Sequence, residues 1–284
     1  MYPPIYIEGL VGAGKSSVIA LLKQKNKNSQ DLVFCFEPVD QYATFTYKKQ
    51  HYNPLKLMYE GLDADKFPVQ WHICQQSFQY YPRCTDSLGM RIGIFERSMF
   101  SNVPFIQAYQ NLGFLTDFAS VYLYKAIEAR TSSSYNCYPG LIIYLNVSVS
   151  LALQRIKQRD RVGEHVISEQ FLECLKRYQL QQLQLFKKGK ARDLPVTVVV
   201  IDVDENATLE EIASQCDKII HGYRNYHMGK QLVSREGFSK HEEQRKKQRF
   251  LRRNSLPAKE AQKTYCENVS LYGGSLSFGG SVFG

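Results

Sequence analysis

The sequence predicts an α/β fold in which helices cover both faces of a doubly wound parallel sheet. Two observations support this prediction. Short apolar runs recur along the chain and are separated by longer stretches with helical spacing. The first apolar run also leads through a glycine-rich turn into a helix, the arrangement in which ligand sites form at the carboxyl ends of parallel strands. With 284 residues, 44% of them hydrophobic, the chain is long enough to bury a core.

Five apolar runs are predicted to be the strands of this sheet. Continuous runs of this length suit strands that are buried on both faces, and their alternation with helices implies right-handed crossovers. The predicted strands lie at 4–8, 32–36, 92–95, 140–145 and 196–201. The predicted helices lie at 15–22, 55–85, 103–131, 149–159, 168–188 and 208–221.

The charge distribution divides the chain into a body and a tail. Of the formal net charge of +9, residues 222–284 contribute +7, with 12 Lys and Arg against 5 Asp and Glu. Apolar periodicity stops after about His221, and the basic run 245–253 is followed by a Gly/Ser-rich end. We therefore expect one domain at 1–221 and a basic, disordered, low-complexity tail at 222–284.

Composition also excludes some classes of protein. No apolar run approaches the ~18 residues that a membrane helix needs, so the sequence predicts no contact with a membrane. The seven cysteines form neither a CxxC pair nor a zinc-binding spacing with histidine. We interpret them as reduced thiols, which favours a cytoplasmic or nuclear protein.

A phosphate-binding loop is the most specific motif. Residues 9–16, GLVGAGKS, match GxxxxGK[ST] between a predicted strand and a predicted helix. Glycines let backbone N–H groups surround phosphate oxygens, Lys15 adds a positive charge, and Ser16 offers a hydroxyl to Mg²⁺. The motif predicts a nucleoside triphosphate site. Its expected members are Gly9, Gly12, Ala13, Gly14, Lys15, Ser16 and Ser17.

Charged residues end two further strands. Glu37 follows the second strand and precedes Pro38, so it could be a general base or an ordinary strand-end glutamate. Glu96 and Arg97 end the next strand of the sheet, where they could hold metal and phosphate or form a plain ion pair.

Three arginines follow the strand at 140–145. Arg155 and Arg159 are four residues apart and share one helix face, and Arg161 follows them closely. Converging arginines suit a transferring phosphoryl group, whose transition state is stabilised mainly by charge and positioning. A solvated basic helix would show the same spacing.

The motifs GxxxxGKS, EPV, ERS and RxxxRxRxxE, in this order, resemble the deoxynucleoside kinase family over about residues 4–221. As in that family, Met58 and Tyr59 precede Gln70 by eleven residues, and Glu164 lies three residues after the last arginine of the cluster. The resemblance implies a P-loop NTPase-like fold with a helical lid. It also implies that the protein is a homodimer and that it serves nucleotide salvage. It implies transfer of phosphate from ATP, with Mg²⁺, to the 5′-hydroxyl of a deoxynucleoside, thymidine or another pyrimidine.

For the acceptor, the resemblance implies that Glu37 takes the proton of the 5′-hydroxyl and that Arg97 orients both groups. Tyr59 and Glu164 would bind the 3′-hydroxyl. Gln70 would read the base. The expected substrate-binding residues are Glu37, Met58, Tyr59, Gln70, Arg97, Asn102 and Glu164, and the expected catalytic residues are Glu37, Arg97 and Lys15.

For the donor, the resemblance implies that the three arginines, Arg155, Arg159 and Arg161, bind the phosphates and that Ser16 and Glu96 hold Mg²⁺. The turn after the last strand contains Glu205 and Asn206, whose backbone would cover the ATP base. A plain strand-to-helix turn is the alternative for that segment.

The chain departs from the family pattern around the base. Cellular members stack the base between two aromatic rings, but Val69 and Ile106 occupy those positions here. Trp71 or Phe105 could substitute. Asn102 occupies a position that is small or acidic in relatives of different preference, and because an amide both donates and accepts, it leaves the base preference open.

Two other functions remain open at this point. A thymidylate-kinase-like nucleoside monophosphate kinase shares the phosphate loop and lid, although the carboxylate of Glu37 suits a hydroxyl acceptor better than a phosphate. A nucleic-acid or partner-binding protein could retain a vestigial kinase fold, with the basic tail as its contact surface. In the tail, 252–257 resembles a basophilic kinase site around Ser255 and a phosphoserine docking motif.

Overall fold

The computed structural model describes residues 2–61, 63–133, 137–188 and 196–237. The strands of these residues are β1 (Ile5–Gly9), β2 (Leu32–Cys35), β3 (Phe45–Tyr47), β4 (Gln50–Tyr52), β5 (Ile92–Glu96), β6 (Leu141–Val147) and β7 (Thr197–Val203). The helices are α1 (Lys15–Lys25), α2 (Val39–Tyr42), α3 (Pro54–Glu60), α4 (Asp63–Asp86), α5 (Asn102–Asn111), α6 (Asp117–Ser133), α7 (Val149–Arg159), α8 (Glu169–Lys187) and α9 (Leu209–Gly237).

Five strands form a parallel sheet in the order β2-β5-β1-β6-β7. The central strand β1 pairs with β5, where Ile7 lies opposite Glu96, and with β6, where Gly9 lies opposite Leu145. Side chains on these strands, such as that of Ile94, are completely buried because helices cover the sheet. This order brings the carboxyl ends of β1, β2 and β5 to one edge. The predicted α/β fold is confirmed.

Two predicted helices are each divided in the structure. The stretch 55–85 contains α3 and α4, because α3 ends at Gly61, which adopts an extended conformation. The stretch 103–131 contains α5 and α6, which are separated by a turn in which Gly113 has φ +79°. In both places a glycine in otherwise helical spacing was the local signal of the break.

A hairpin that the sequence did not predict joins α2 to α3. Strands β3 and β4 pair antiparallel, and the turn between them places Lys48 and Lys49 at φ 46° and 67°. Two consecutive left-handed residues are typical of Asn-Gly turns, so a Lys-Lys pair gave no such signal. The rings of Phe45 and Tyr52 lie 6.1 Å apart across the hairpin.

The last helix extends beyond the predicted end at residue 221. Ile220 is buried, the Tyr223 hydroxyl donates to the Pro3 carbonyl at 3.3 Å, and Arg224 pairs with Asp31. The first compact unit of the chain is Met1–Asn225. The domain boundary at 221/222 stays a prediction.

The tail motifs at 245–253 and around Ser255 lie outside the described residues. Within the described ranges, no helix combines the length and the apolar character that a membrane crossing would require.

Candidate active site

The phosphate loop connects β1 to α1 and packs against α7. Gly12 and Gly14 have φ +81° and +88°, and Gly14 caps α1 in the left-handed conformation. A Cβ atom on Gly12 would lie 2.5 Å from the carbonyl oxygen of Ala152 in α7. Glycine is therefore required at this position both by backbone conformation and by the close approach of another helix.

Lys15 is buried at the start of α1. Its ammonium donates to the carbonyl oxygens of Leu10 at 2.7 Å and Gly9 at 3.3 Å. Burial and, secondarily, the charge of Arg97 lower the pKa of Lys15 to about 7, despite the opposing attraction of nearby carboxylates. A phosphate group beside this ammonium would favour its charged form.

Glu37 and Arg97 meet at the carboxyl edge of the sheet. Arg97 Nε donates to Glu37 Oε2 at 3.1 Å, and the Glu37 backbone N–H donates to Glu96 Oε2 at 3.3 Å. Burial opposes the charge of Arg97, but the carboxylates of Glu37, Glu8 and Glu96 outweigh burial and raise its pKa. The arrangement holds a carboxylate and a guanidinium in direct contact.

Ser16 and Glu96 place two oxygen atoms together at the phosphate loop. Ser16 Oγ donates to Glu96 Oε1 at 2.5 Å. Among the described residues no group of three His, Cys, Asp or Glu side chains could hold a metal ion. One hydroxyl and one carboxylate nevertheless suit Mg²⁺, which takes few protein ligands and completes its shell with phosphate oxygens and water.

One cavity of about 240 Å³ joins the phosphate loop to the residues expected to bind the acceptor. The predicted residues that line it are Gly12, Gly14, Lys15, Ser16, Ser17, Glu37, Met58, Tyr59, Gln70, Glu96, Arg97, Asn102, Arg159, Arg161 and Glu164. Residues that lie up to 152 positions apart in the sequence thus share one concave surface, because the sheet edge, α3, α4, α5 and the segment after α7 meet there.

Gln70 and Asn102 form an amide pair in the wall of this cavity. Both side chains are buried, and Gln70 Nε2 donates to Asn102 Oδ1 at 3.3 Å. Asn102 Nδ2 donates to the Met99 carbonyl oxygen at 3.1 Å. The Asn102 amide is therefore held from both ends.

Two arginines at and after the end of α7 bind Glu164. Its carboxylate accepts two hydrogen bonds from Arg159 and one from Arg161 at 3.4 Å. Gly163, at φ +85°, approaches α3 so closely that a Cβ atom would lie 2.9 Å from the Cα atom of Lys56. Burial, and then the charge of Glu164, raise the pKa of Tyr59, so the two predicted 3′-hydroxyl ligands lie near each other.

Five predicted donor-site residues do not line this cavity, namely Gly9, Ala13, Arg155, Glu205 and Asn206. Arg155 Nη1 lies 3.7 Å from the position that a Cβ atom on Gly14 would occupy, so the Arg155 guanidinium is beside the phosphate loop. Glu205 and Asn206 are exposed in the turn after β7, where Asp204 Oδ1 accepts from the Asn206 N–H at 2.8 Å.

Phe105, one of the two residues considered as substitutes for the aromatic sandwich, lines the cavity. The Arg97 guanidinium carbon lies 5.2 Å from its ring centroid. Trp71 instead packs against Tyr122, with the ring centroids 5.5 Å apart, and neither it nor Val69 lines the cavity. Of the two substitutes considered for the missing aromatic sandwich, the structure favours Phe105.

Several lining residues were missed by sequence analysis. Along α4, Ile73, Ser77 and Tyr81 follow Gln70 at helical spacing and line the same cavity, so the spacing could have identified them. Tyr109 of α5 also lines the cavity, stacks on Phe171, and has a buried hydroxyl without a partner among the described residues. No local sequence signal distinguished Tyr109 from a core tyrosine.

The chain matches the sequence profile described as "Deoxynucleoside kinase" over residues 5–226. It belongs to the deoxynucleoside kinase family. The chain is thus a transferase that uses a nucleotide phosphate donor, and the family predicted from the motifs is confirmed.

Related proteins agree with this assignment. The chain is 24% identical to kinase protein 143R of Invertebrate iridescent virus 6 (78% of this chain, 98% of the viral protein) and 25% identical to human mitochondrial thymidine kinase 2 (76% and 77%). Deoxyadenosine kinase from M. mycoides with bound dATP shares the fold, with a TM-score of 0.57 at 24% identity (75% and 99%). The names of the last two proteins specify different nucleosides, thymidine and deoxyadenosine.

Proposed function

We propose that this deoxynucleoside kinase transfers the γ-phosphate of ATP to the 5′-hydroxyl of a pyrimidine deoxynucleoside, thymidine above all, to form the 5′-monophosphate for nucleotide salvage. One observation carries the proposal. The Glu37–Arg97 pair lies in the same cavity as the phosphate loop with Lys15, so a base and a phosphate site face one reaction space.

Glu37 is the proposed general base. Its side chain is 19% exposed and directed by the Arg97 bond, so one carboxylate can accept the proton of the sugar hydroxyl. As the 5′-oxygen forms its bond to the γ-phosphorus, the bond from that phosphorus to the bridging oxygen breaks, and ADP leaves. Arg97 holds the base carboxylate and the attacking hydroxyl in line.

Cationic side chains stabilise the charge on the transferring group. Lys15 lies at the end of the phosphate loop, Arg159 is the last residue of α7, and Arg161 follows that helix; all three line the cavity. Ser16 and Glu96 would hold Mg²⁺, which neutralises charge on the phosphate oxygens when bound. We also assign Arg155 to the donor phosphates, and Glu205 and Asn206 to the ATP base.

The orientation of the amide pair is compatible with thymidine as the acceptor. Because Gln70 Nε2 is directed at Asn102 Oδ1, the Gln70 carbonyl oxygen can accept from a base N–H. Thymine carries such a donor at N3. Tyr59 and Glu164 would bind the 3′-hydroxyl, and Phe105 would pack against the base.

The test is a panel of the four deoxynucleosides and their monophosphates with ATP and Mg²⁺, with product formation as the readout. The proposal expects the highest kcat/KM for thymidine and no activity on monophosphates. Phosphorylation of thymidylate instead would favour the monophosphate kinase alternative, and a purine preference would refute the assignment of Gln70 and Asn102.

We further propose a homodimer assembled through an apolar face of α4 and α6. The supporting observation is a group of partly or strongly exposed aromatic side chains on this face, in which Phe118 is 81% exposed and Tyr122 packs on Phe67. Phe118→Glu should convert a dimer to a monomer in light scattering. An unchanged mass would refute this face as the interface.

We also propose a nucleic-acid contact for the tail and a cytoplasmic location for the protein. The +7 charge of residues 222–284 supports contact with nucleic acid, which should weaken steeply as salt rises. The described cysteines are free thiols, which supports a cytoplasmic location.

A further inference from the structure

A carboxylate beneath the phosphate loop is tied to the turn that follows β5. Glu8 is the penultimate residue of β1, and its Oε1 accepts hydrogen bonds from Ser98 Oγ at 2.8 Å and Ser101 Oγ at 2.6 Å. The Ser98 backbone N–H also donates to Ser101 Oγ, at 2.9 Å. One carboxylate oxygen therefore fixes both ends of a four-residue turn.

This turn carries residues of the active site at its two ends. Arg97 directly precedes Ser98, has φ +59°, and contacts Glu37. Asn102 directly follows Ser101 and pairs with Gln70. A left-handed conformation is unfavourable for arginine, so neighbouring contacts must maintain it.

Glu8 acts from behind the substrate cavity, which it does not line. It lines a separate, water-sized cavity of about 10 Å³ together with Gln179 and Gln182 of α8. Gln179 Nε2 donates to the Gly9 carbonyl at 3.3 Å, and Gln182 Nε2 donates to the Phe100 carbonyl at 2.9 Å. Glu8 and these two glutamines thus contact the phosphate loop and the turn after β5 on the side opposite the substrate cavity.

The charge of Glu8 also reaches the cations of the site. Burial raises the pKa of Glu8, while Arg97 and the two serine hydroxyls favour its ionised form. In turn, the Glu8 carboxylate contributes to raising the pKa of Arg97 and partly opposes the lowering of the pKa of Lys15.

We propose that Glu8 is a positioning residue for phosphoryl transfer, which holds the 97–102 turn so that Arg97 meets Glu37. The inference rests on the proposed function, because it assigns Glu8 a role in the same reaction. Glu8 touches neither substrate and acts through Ser98 and Ser101.

The first test is Glu8→Gln, which keeps an acceptor oxygen for the hydroxyls but removes the charge. We expect kcat to fall at least about tenfold, since small misplacements of reacting groups are costly, while KM for nucleoside and ATP stays within about threefold. The matched control is Glu173→Gln on the exposed surface of α8, which should leave both constants unchanged. Thermal unfolding establishes that each variant is folded at the assay temperature.

Ser101→Ala removes the donor instead of the acceptor. It should lower kcat in the same way, and Glu8→Gln combined with Ser101→Ala should be no slower than the slower single variant, because both changes break one link. If the two substitutions lower kcat in the double variant by the product of their separate factors, the inference is overturned. If Glu8→Gln does not fold, Ser101→Ala alone decides, and a kcat within about twofold of wild type overturns the inference.

Wild-type activity in the same assay separates the two hypotheses. If the wild type is active and the Glu8→Gln variant is equally active, only the positioning role is overturned. The same holds if Glu8→Gln raises KM but leaves kcat unchanged. A wild type that phosphorylates no deoxynucleoside overturns the proposed function and, with it, the role of Glu8.

Discussion

Arg97 donates to the Glu37 carboxylate at 3.1 Å although 60 residues separate the two in the sequence. The contact exists because β2 and β5 are neighbours in the sheet and each residue lies just beyond the carboxyl end of its strand. A buried arginine partner favours the general-base interpretation of Glu37 over an ordinary strand-end glutamate.

Replacement of Glu37 by glutamine should lower kcat by about 10²-fold or more while nucleoside binding is largely kept, because only proton transfer is removed. Steady-state kinetics and calorimetric binding measure the two effects. Asp40→Asn, an exposed change in α2, is the matched control and should have near-normal kcat. A near-normal kcat for Glu37→Gln would remove it from the role of base.

Nucleosides that lack the 3′-hydroxyl should bind more weakly by about 1 to 3 kcal/mol, because Tyr59 and Glu164 would lose a partner in a buried site. Tyr59→Phe should reduce this difference between thymidine and its 3′-deoxy analogue. Tyr47→Phe on the exposed hairpin should not. Equal kcat/KM for the two nucleosides with wild-type enzyme would exclude both residues from sugar binding.

Gly12→Ala and Gly113→Ala form a matched pair. Both glycines have φ near +80°, so each alanine should lower the free energy of unfolding by about 1 to 2 kcal/mol. The Gly12 Cβ atom would also clash with Ala152, whereas the Gly113 Cβ atom would meet nothing within 4 Å. Urea unfolding should therefore show a larger loss for Gly12→Ala, and only that variant should bind ATP more weakly. Equal losses would contradict the packing argument.

Two truncations should behave differently. A chain that ends after Asn225 keeps the first compact unit and should retain nucleoside phosphorylation. A chain that ends after His221 loses the Tyr223 and Arg224 contacts with Pro3 and Asp31, and its Tm should be lower. Activity and thermal unfolding of both chains check this expectation. Loss of phosphorylation in a folded 1–225 chain would show that the tail belongs to the enzyme.

Much of the candidate site could be predicted from the sequence, because phosphate loops and strand-end charges are local patterns. The phosphate loop, Glu37 and Arg97 were identified this way, and the structure brings them together. Glu8 and Tyr109 could not be identified, since nothing local marks a strand glutamate that meets two serines about 90 residues away or a tyrosine beside a cavity. Their surroundings depend on which elements pack together.

The sequence by itself determined the five strands of the parallel sheet and the phosphate loop, since periodicity and glycine placement are properties of short segments. Only the tertiary structure decided that Phe105 rather than Trp71 lines the cavity, because both are aromatic residues on predicted helices. It also decided that Gln70 faces Asn102. Such choices depend on helix orientation and sheet order, which arise from packing between segments that lie far apart in the sequence.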